Sequence, residues 1–539
     1  MMNRRSFLGF GTLTSGALLS SRLINALAAT AESTPGQIVE TGAGKIRGLY
    51  QSGVMAFRGI PYGASTGGRS RFMPPTKFRS WTGVREAFEL GPRCPQIASG
   101  LIPEVAAVDR GETMGEDCLV LNVWTPSVGK EKNLPVMVWL HGGGYSVGSA
   151  GFTIYDGANL AKKHNVVVVG VNHRLNVFGF LYLAEIGGEK YARSSNVGML
   201  DIVAALEWVR DNIAGFGGDS KRITLFGQSG GAGKVSTLMA MPSAKGLFHR
   251  AIIESRPTDK GASRDDASMA AERYLAKLGL NSNQINEAQK LPMEQLVAAM
   301  GAGGNPGNPM FRLEPTVDER LLPSDLFDPK TALVSASVPL VAGSVETEVA
   351  FFPNQQLDPI DDDTLHQHVR KILPRADDMQ VDQLIQGYRK GRPDIANTDL
   401  FLTLASDASF RRSILTEAEH KSAIGKAPVF LYYFTWHSPV RGGKLRSFHT
   451  LELPFVFDNL DAGVSMTGTG ADRVALCDRM SSAWVAFART GNPNHAGLPH
   501  WPTFDSSERA TMIFDQECRA ANDPNGEVRV MLNSLLAYI

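Results

Sequence analysis

The nine residues Ile223–Gly231 read Ile-Thr-Leu-Phe-Gly-Gln-Ser-Gly-Gly, and they decide the fold class. An apolar run enters a Gly-x-Ser-x-Gly pentapeptide, and the following segment Ala232–Met241 has a helical composition. Between a strand and a helix, this pentapeptide forms a sharp turn, the nucleophile elbow, that exposes the serine at the N-terminus of the helix. We therefore predict that Ser229 is a nucleophile, with a glycine-rich turn of no chemical role as the alternative.

The same segment has part of the pattern of a phosphate-binding loop, because Gly231–Lys234 reads Gly-Ala-Gly-Lys. That loop needs a glycine at position 228 and a serine or threonine at position 235, where the chain has Gln228 and Val235. A second glycine run, Gly142–Gly144, lacks the spacing of a dinucleotide site. The sequence therefore predicts no nucleotide or other cofactor, and it offers no metal-ligand pattern.

Apolar runs without polar alternation recur on both sides of the elbow in the sequence. Such runs are typical of strands that are covered on both faces, as in a mostly parallel sheet. We predict an α/β fold with a large central sheet, helices such as Met199–Asn212 on both faces, and inserted lid helices over residues 365–424. Short strands over residues 37–58 predict antiparallel hairpins at a sheet edge. The buried runs are Val136–Leu140, Val166–Val169, Ile223–Phe226, Pro339–Ala342 and Val429–Phe434.

The composition argues against some classes of function, nucleic-acid binding and membrane association among them. The chain has 539 residues, of which 43% are hydrophobic, and its 54 basic and 54 acidic residues give a net charge of zero. A chain without excess positive charge is a poor candidate for binding nucleic acid or an anionic membrane surface. Beyond the N-terminal leader, no apolar segment approaches the length of a membrane helix. The sequence leaves the oligomeric state open.

The N-terminus has the features of an export signal. Adjacent Arg4 and Arg5 precede a mildly apolar stretch, and Ala26–Ala28 is a small-x-small cleavage pattern. This arrangement resembles a twin-arginine signal, so we expect residues 1–28 to be removed and the protein to be periplasmic or secreted in a bacterium. A basic tail is the alternative. The remainder, residues 36–539, is predicted to be a single domain.

Four cysteines are too few for a disulfide scaffold, and none has the C-x-x-C spacing of zinc or redox sites. In an exported protein they allow two bridges between near neighbours, Cys94 with Cys118 and Cys477 with Cys518. The second pair is equally compatible with two buried free thiols.

A second glycine-rich turn, His141–Tyr145, follows the predicted strand Val136–Leu140. Acyl transfer to a serine places negative charge on the carbonyl oxygen of the substrate. Backbone N–H groups from such a turn, together with the one after the nucleophile, can stabilise that charge. Two separate loops are therefore compatible with one reaction.

With these motifs in place, the chain from about Gly36 to its C-terminus resembles the type B carboxylesterases, the family that includes cholinesterases and bacterial para-nitrobenzyl esterases. The resemblance implies an α/β-hydrolase fold and hydrolysis of small-molecule carboxylic esters through an acyl-enzyme intermediate. The motifs that carry it are Phe216–Asp219, Gly227–Gly231, Glu116–Pro126, Asn172–Leu175 and Asn196–Arg210.

The family pattern also implies a Ser-Glu-His triad. His449 stands where the family has its catalytic histidine, with His437 as the second choice. Glu348 matches the catalytic acid when counted from Gly343 or back from Phe352, but Thr347 and Val349 depart from the pattern, so Glu346 remains the minority choice. The family pattern further implies an oxyanion hole formed by Gly143, Gly144 and Gly230. It also implies a disulfide between Cys94 and Cys118. It assigns Ser255 to the support of the acid.

The same triad would serve amides, lactones or polyesters, because the pocket and not the triad selects the substrate. A non-catalytic, cholinesterase-like binding protein is a further alternative, although Ser229, Glu348 and His449 are all present. The sequence does not predict acyl or alcohol preference.

Overall fold

One mixed sheet organises the computed structural model, which describes residues 33–98, 100–129, 133–255, 260–301, 313–326 and 328–537. The predicted signal peptide lies outside these residues. The strands run β1-β2-β3-β5-β7-β6-β8-β9-β10-β11-β12-β13 across the sheet, with β4 beside β2. Their bounds are β1 Thr34–Glu40, β2 Lys45–Gln51, β3 Val54–Pro61, β4 Val84–Glu86, β5 Val120–Thr125, β6 Leu134–Leu140, β7 Val167–Val171, β8 Gly218–Gln228, β9 Arg250–Glu254, β10 Leu340–Val345, β11 Val429–Phe434, β12 Ala510–Phe514 and β13 Arg519–Asn522.

The centre of the sheet is parallel. Strands β7, β6, β8, β9, β10, β11 and β12 pair in parallel with one another. The ladders among β1, β2, β3, β5 and β7 at one edge, and between β12 and β13 at the other, are antiparallel. The predicted mostly parallel α/β sheet and the predicted hairpins at its edge are therefore confirmed.

Strand β6 shows why its sequence lacks polar alternation. Val136, Val138 and Leu140 pack into the core on one face of the sheet, while Met137 and Trp139 pack into the core on the other face. Successive side chains of a strand point to opposite faces, so a strand with helices on both sides has to be apolar at every position.

Helices cover both faces of the sheet. The predicted helix Met199–Asn212 is part of an observed helix, Val197–Asn212. The α-helices are Pro103–Ala106, Ala158–His164, Asn176–Phe180, Ala184–Gly187, Val197–Asn212, Gly230–Ala240, Arg264–Lys277, Ile285–Ala288, Met293–Met300, Pro329–Ala332, Asp362–Ile372, Asp378–Lys390, Asn397–Ser406, Arg412–Ile424, Leu453–Val456, Val464–Thr467, Asp472–Thr490 and Gly526–Leu536. In the part of the chain that the structure describes, none has the length and apolar character needed to cross a membrane.

The insert between β10 and β11 is helical, as predicted for residues 365–424. Its last two helices, Asn397–Ser406 and Arg412–Ile424, are joined by the π-helical turn Asp407–Arg411. A π turn adds a residue to the helical repeat, and such turns are frequent at functional sites. The ring of Phe410, within this turn, lies 5.1 Å from the ring of His449. The insert therefore reaches the predicted histidine.

The cysteines differ from the prediction of bridges, because all four are free thiols in this structure. Cys94 and Cys118 are both buried, and the hydrogen bond that the Cys118 thiol donates to Cys94, followed by burial, raises the pKa of Cys118 well above its ordinary value. Folding thus brings the first pair, Cys94 and Cys118, into hydrogen-bonding contact. Cys477 instead contacts the Asp458 carboxylate at 3.2 Å.

A buried ion pair fixes the chain where it leaves β7. The guanidinium of Arg174 donates to both oxygens of Asp201, at 2.7 and 2.6 Å. Their side chains are only 2% and 0% exposed, so neither charge is solvated by water. A desolvated charge that loses its partner is costly, because nothing replaces the lost hydration.

We expect Asp201→Asn to destabilise the protein by about 3–5 kcal/mol, because it leaves the Arg174 cation buried without a counter-charge. The matched control is Asp211→Asn, which breaks the surface pair between Arg210 and Asp211, with side chains 47% and 53% exposed, and should cost less than about 1 kcal/mol. Urea unfolding at constant pH measures both variants. Equal losses in the two variants would contradict the role of burial.

Candidate active site

Ser229 occupies a strained turn between β8 and the helix Gly230–Ala240. Its φ of 56° and ψ of −120° lie outside the regions that residues with a side chain prefer. Two hydrogen bonds hold the turn: the N–H of Ser229 donates to the carbonyl of Glu254 at 2.8 Å, and its carbonyl accepts from the N–H of Gly233 at 3.0 Å. The residue is half-buried. The structure therefore has the predicted elbow geometry.

The second glycine turn lies against the elbow. In the parallel ladder of β6 and β8, Leu140 is opposite Gly227, so both strands end at the same level and continue into adjacent turns. A side-chain carbon at Gly230 would lie 2.1 Å from the carbonyl oxygen of Gly144, which shows how closely the two backbones approach. Gly143 has a φ of 92°, a left-handed conformation that favours glycine.

The three predicted oxyanion donors have no hydrogen-bond acceptor among the residues that the structure describes. The carbonyl of Gly143 is bonded to the N–H groups of Ser146 and Val147, but the N–H groups of Gly143, Gly144 and Gly230 make no such contact. The N–H of Gly230 belongs to the first turn of a helix, where no intrahelical acceptor exists. These donors remain available to a ligand.

Glu348 and His449 form a buried pair. The Nδ1 of His449 lies 2.5 Å from the Oε2 of Glu348, while Oε1 accepts from the N–H of Val345 at 3.0 Å. The exposed fractions of the two side chains are 3% for His449 and 0% for Glu348. Because a carboxylate oxygen accepts, Nδ1 carries a proton, and Nε2 is the nitrogen that can act as a base.

Three phenylalanine rings surround the imidazole. The ring centres of Phe351, Phe352 and Phe410 lie 5.2, 6.3 and 5.1 Å from that of His449. Phe351 and Phe352 follow Glu348 in the chain, whereas Phe410 comes from the helical insert. An apolar wall on this side restricts the movement of the ring and limits the access of water to it.

Gln228 is a site residue that the sequence did not single out. Its Nε2 lies 3.2 Å from the Nε2 of His449, and its side chain is fully buried. Among the described residues, only Gln228 and Glu348 hydrogen-bond to the imidazole, so no bond to Ser229 is present. Catalytic hydrogen bonds are often long without substrate and shorten in its presence. The position of Gln228 next to the nucleophile was the only signal for its role.

The two minority choices of the sequence pair with each other instead. The carboxylate of Glu346 accepts from His437 at 2.8 Å and from Arg392 at 2.6 Å. Burial alone would raise the pKa of Glu346, but the hydrogen bonds and charges of His437 and Arg392 together hold it below its ordinary value. This group lines a separate cleft of about 500 Å³.

Ser255, predicted to support the acid, hydrogen-bonds to a different carboxyl group in this structure. The hydroxyl of Ser255 donates to the Oε1 of Glu452 at 3.3 Å. The N–H of Ser255 is held by the carbonyl of Gly343 at 2.8 Å, which fixes the residue at the end of β9. Ser255 therefore hydrogen-bonds to a neighbouring carboxyl group, and its support of Glu348 stays a prediction.

This arrangement is matched by known proteins. The model of the carboxylesterase family matches residues 35–530, nearly the full chain. The chain belongs to the carboxylesterase family. It is a serine carboxylic ester hydrolase, as the resemblance implied.

Individual relatives share most of their length with this esterase. It is 36% identical over 508 residues to the para-nitrobenzyl esterase of Bacillus subtilis, covering 92% of this chain and 98% of that protein. It is 32% identical over 493 residues to the phenmedipham hydrolase of Pseudarthrobacter oxydans, covering 89% and 95%. A carboxylesterase structure from Geobacillus stearothermophilus matches with a TM-score of 0.79 at 34% identity, covering 92% of this chain and 99% of that chain.

The esterase has two further buried carboxyl groups close to Glu348. Glu254 accepts from the indole N–H of Trp484 at 2.5 Å, and burial raises its pKa to about 8. Burial, followed by the charges of Glu348 and Glu254, raises the pKa of Glu452 well above its ordinary value. One oxygen of Glu254 and one of Glu452 have no partner among the described residues. Burial thus favours the neutral form of both groups, and Glu348 is the carboxyl group that contacts the imidazole.

The raised pKa of Glu254 makes stability depend on pH. The folded state holds this proton up to about pH 8, whereas the unfolded chain releases it near the ordinary value of 4.5. The folded state thus binds more protons in this window, and stability falls as pH rises, by up to about 1.4 kcal/mol per pH unit. We expect Glu254→Gln, which keeps an acceptor for Trp484, to gain thermal stability relative to the wild type between pH 5 and pH 8. An equal difference in melting temperature at the two pH values would contradict this.

Proposed function

We propose that Ser229, His449 and Glu348 act as nucleophile, general base and orienting acid in the hydrolysis of small carboxylic esters. The observation that carries this is the 2.5 Å contact between Glu348 and the Nδ1 of His449, which leaves Nε2 as the basic atom on a ring that contacts Gln228, the neighbour of the nucleophile. No other described acid–histidine pair adjoins the elbow, because Glu346 and His437 line a separate cleft.

The reaction proceeds in two acyl transfers. The Oγ of Ser229 attacks the ester carbonyl while Nε2 of His449 takes the hydroxyl proton. The tetrahedral intermediate collapses, the bond to the alkoxy group breaks, and the imidazolium returns its proton to the departing alcohol. A water molecule then repeats the sequence on the acyl-serine and releases the carboxylic acid. Glu348 keeps the ring in its tautomer and stabilises the imidazolium without taking the proton.

The N–H groups of Gly143, Gly144 and Gly230 supply the oxyanion hole in this mechanism. They belong to two turns in backbone contact, and their donors are unpaired among the described residues. Donors that are fixed before substrate arrives need no reorganisation as charge develops, and each is worth about 3 kcal/mol in the transition state.

We expect Ser229→Ala to abolish turnover of p-nitrophenyl acetate while leaving the thermal unfolding curve in place. Glu348→Gln should lower kcat by about 10³-fold or more, because the ring loses the acceptor that fixes its tautomer. The matched control is Glu346→Gln, which should lower kcat less than about tenfold. A larger loss in Glu346→Gln than in Glu348→Gln would move the acid to position 346. Mass spectrometry after organophosphate treatment should place the label on Ser229, and a label elsewhere would overturn the nucleophile.

Esters rather than amides are the proposed substrates, with lactones and polyesters as the second class. An esterase from Clostridium hathewayi described as hydrolysing aliphatic aromatic polyesters matches this chain with a TM-score of 0.78 at 32% identity, covering 93% of this chain and 100% of that chain. Rates on an ester and an anilide with the same acyl group separate the two reaction types. Faster anilide cleavage would contradict the proposal.

We also propose that the protein is exported to the periplasm or medium of a bacterium. Cys94 and Cys118 then form a disulfide bridge there. The support is the Arg4–Arg5 pair, the cleavage pattern at residues 26–28 and the contact between the two buried thiols. We expect the exported protein to begin at Ala29 and to show two reactive thiols after denaturation without reductant. Arg4→Lys combined with Arg5→Lys should retain the protein in the cytoplasm with four. Four thiols in the exported form would exclude the bridge, and unchanged export of the variant would exclude the twin-arginine route.

A further inference from the structure

Lys234 is a buried cationic side chain that the mechanism leaves unused. It lies in the helix Gly230–Ala240, one turn beyond the nucleophile, and is 0% exposed. No carboxylate pairs with it among the described residues, and burial lowers its pKa to about 7. Its contacts are the carbonyl of His141, 2.9 Å from Nζ, and the ring of Tyr145, whose centre is 5.8 Å from Nζ. Burying an amine that makes a single hydrogen bond costs free energy of folding, so the role of Lys234 is sought in that one bond.

The acceptor is the first residue of the glycine turn. His141 directly follows β6, and its carbonyl belongs to the peptide group that also carries the N–H of Gly142. The next peptide is held as well, because the Nδ1 of His141 donates to the carbonyl of Gly142 at 2.8 Å. Burial, followed by the charge of Lys234, lowers the pKa of His141 well below its ordinary value, so the ring is neutral with its proton on Nδ1.

Peptide planarity connects these two carbonyls to the oxyanion hole. In a trans peptide the C=O of one residue and the N–H of the next point in opposite directions. Fixing the carbonyl of Gly142 therefore fixes the direction of the N–H of Gly143. Fixing the carbonyl of His141 likewise fixes the preceding peptide group, which carries the N–H of Gly142. His173 packs on the far side, its ring stacked on that of His141 at 5.1 Å and 18°. Side chains thus hold both peptide groups that lead into Gly143.

We propose that Lys234 is a positioning residue for the oxyanion turn, holding the carbonyl of His141 so that the N–H of Gly143 is aimed before the substrate binds. This rests on the proposed function, in which that N–H stabilises the intermediate. The ammonium and the neutral amine both have N–H groups to donate, so the contact persists in either protonation state of Lys234.

The test compares kcat per active site across a set of variants. Organophosphate titration counts the active sites, so kcat can be measured even for a variant of which only a small fraction folds. Lys234→Met and Lys234→Leu remove the donor, whereas Lys234→Gln retains an N–H. We expect Met and Leu to lower kcat for p-nitrophenyl acetate by about tenfold or more, with KM changed less than about twofold. Affinity for an aryl trifluoromethyl ketone, which forms an oxyanion on Ser229, should fall in proportion to kcat. Gln should recover part of both losses.

Lys421 offers a matched control. It is also a buried lysine that donates to backbone carbonyls, those of Ser335 and Ala336 at 2.5 and 3.0 Å, and it lies outside both glycine turns. Lys421→Met should lower the melting temperature as Lys234→Met does but leave kcat per active site unchanged.

Two results would overturn the proposal: unchanged kcat per site in Lys234→Met, or a loss of kcat that follows the melting temperature across all four variants. Failure of the proposed function is distinguishable, because the wild type would then bind the ketone weakly and Ser229→Ala would remain active.

Discussion

The parallel pairing of β6 with β8 is the constraint on which the site depends. Because Leu140 stands opposite Gly227, the strands end together and their turns meet backbone to backbone. A shift of register by two residues would keep every side chain on its proper face of the sheet, yet it would separate the serine from the glycine turn. Burial of the apolar side chains explains why the sheet forms. The register of β6 and β8 explains why Ser229 and the glycine turn lie side by side at its edge.

Burial determines the electrostatics around this edge. Glu254 and Glu348 both lie near Glu452, and desolvation raises the pKa of Glu254 and of Glu452. Of these three carboxyl groups, only Glu348 hydrogen-bonds to the imidazole of His449 among the described residues. On the other side of the elbow, Lys234 is buried beside a neutral His141. Carboxyl groups thus lie near the acid that contacts His449, whereas a lysine contacts the backbone of the turn that is proposed to receive negative charge.

The sequence was sufficient to predict the fold class and the turn that presents Ser229, because the signals for both were local. The apolar run Val429–Phe434 coincides with β11, and the elbow lies where the pentapeptide placed it. Strand β9 was not predicted, since its five residues, Arg250–Glu254, begin and end with charges that burial at the sheet centre overrides. Contacts between distant segments, such as Ser255 with Glu452, follow from packing and have no local pattern.

The backbone at Ser229 has a consequence for the history of such a chain. A residue with a φ of 56° and a ψ of −120° is held against its own conformational preference, and glycine would occupy the same place with less strain. Selection for folding alone therefore works against the side chain that performs the chemistry. Drift in the absence of substrate would favour replacement of this serine by glycine, giving a more robust protein without activity.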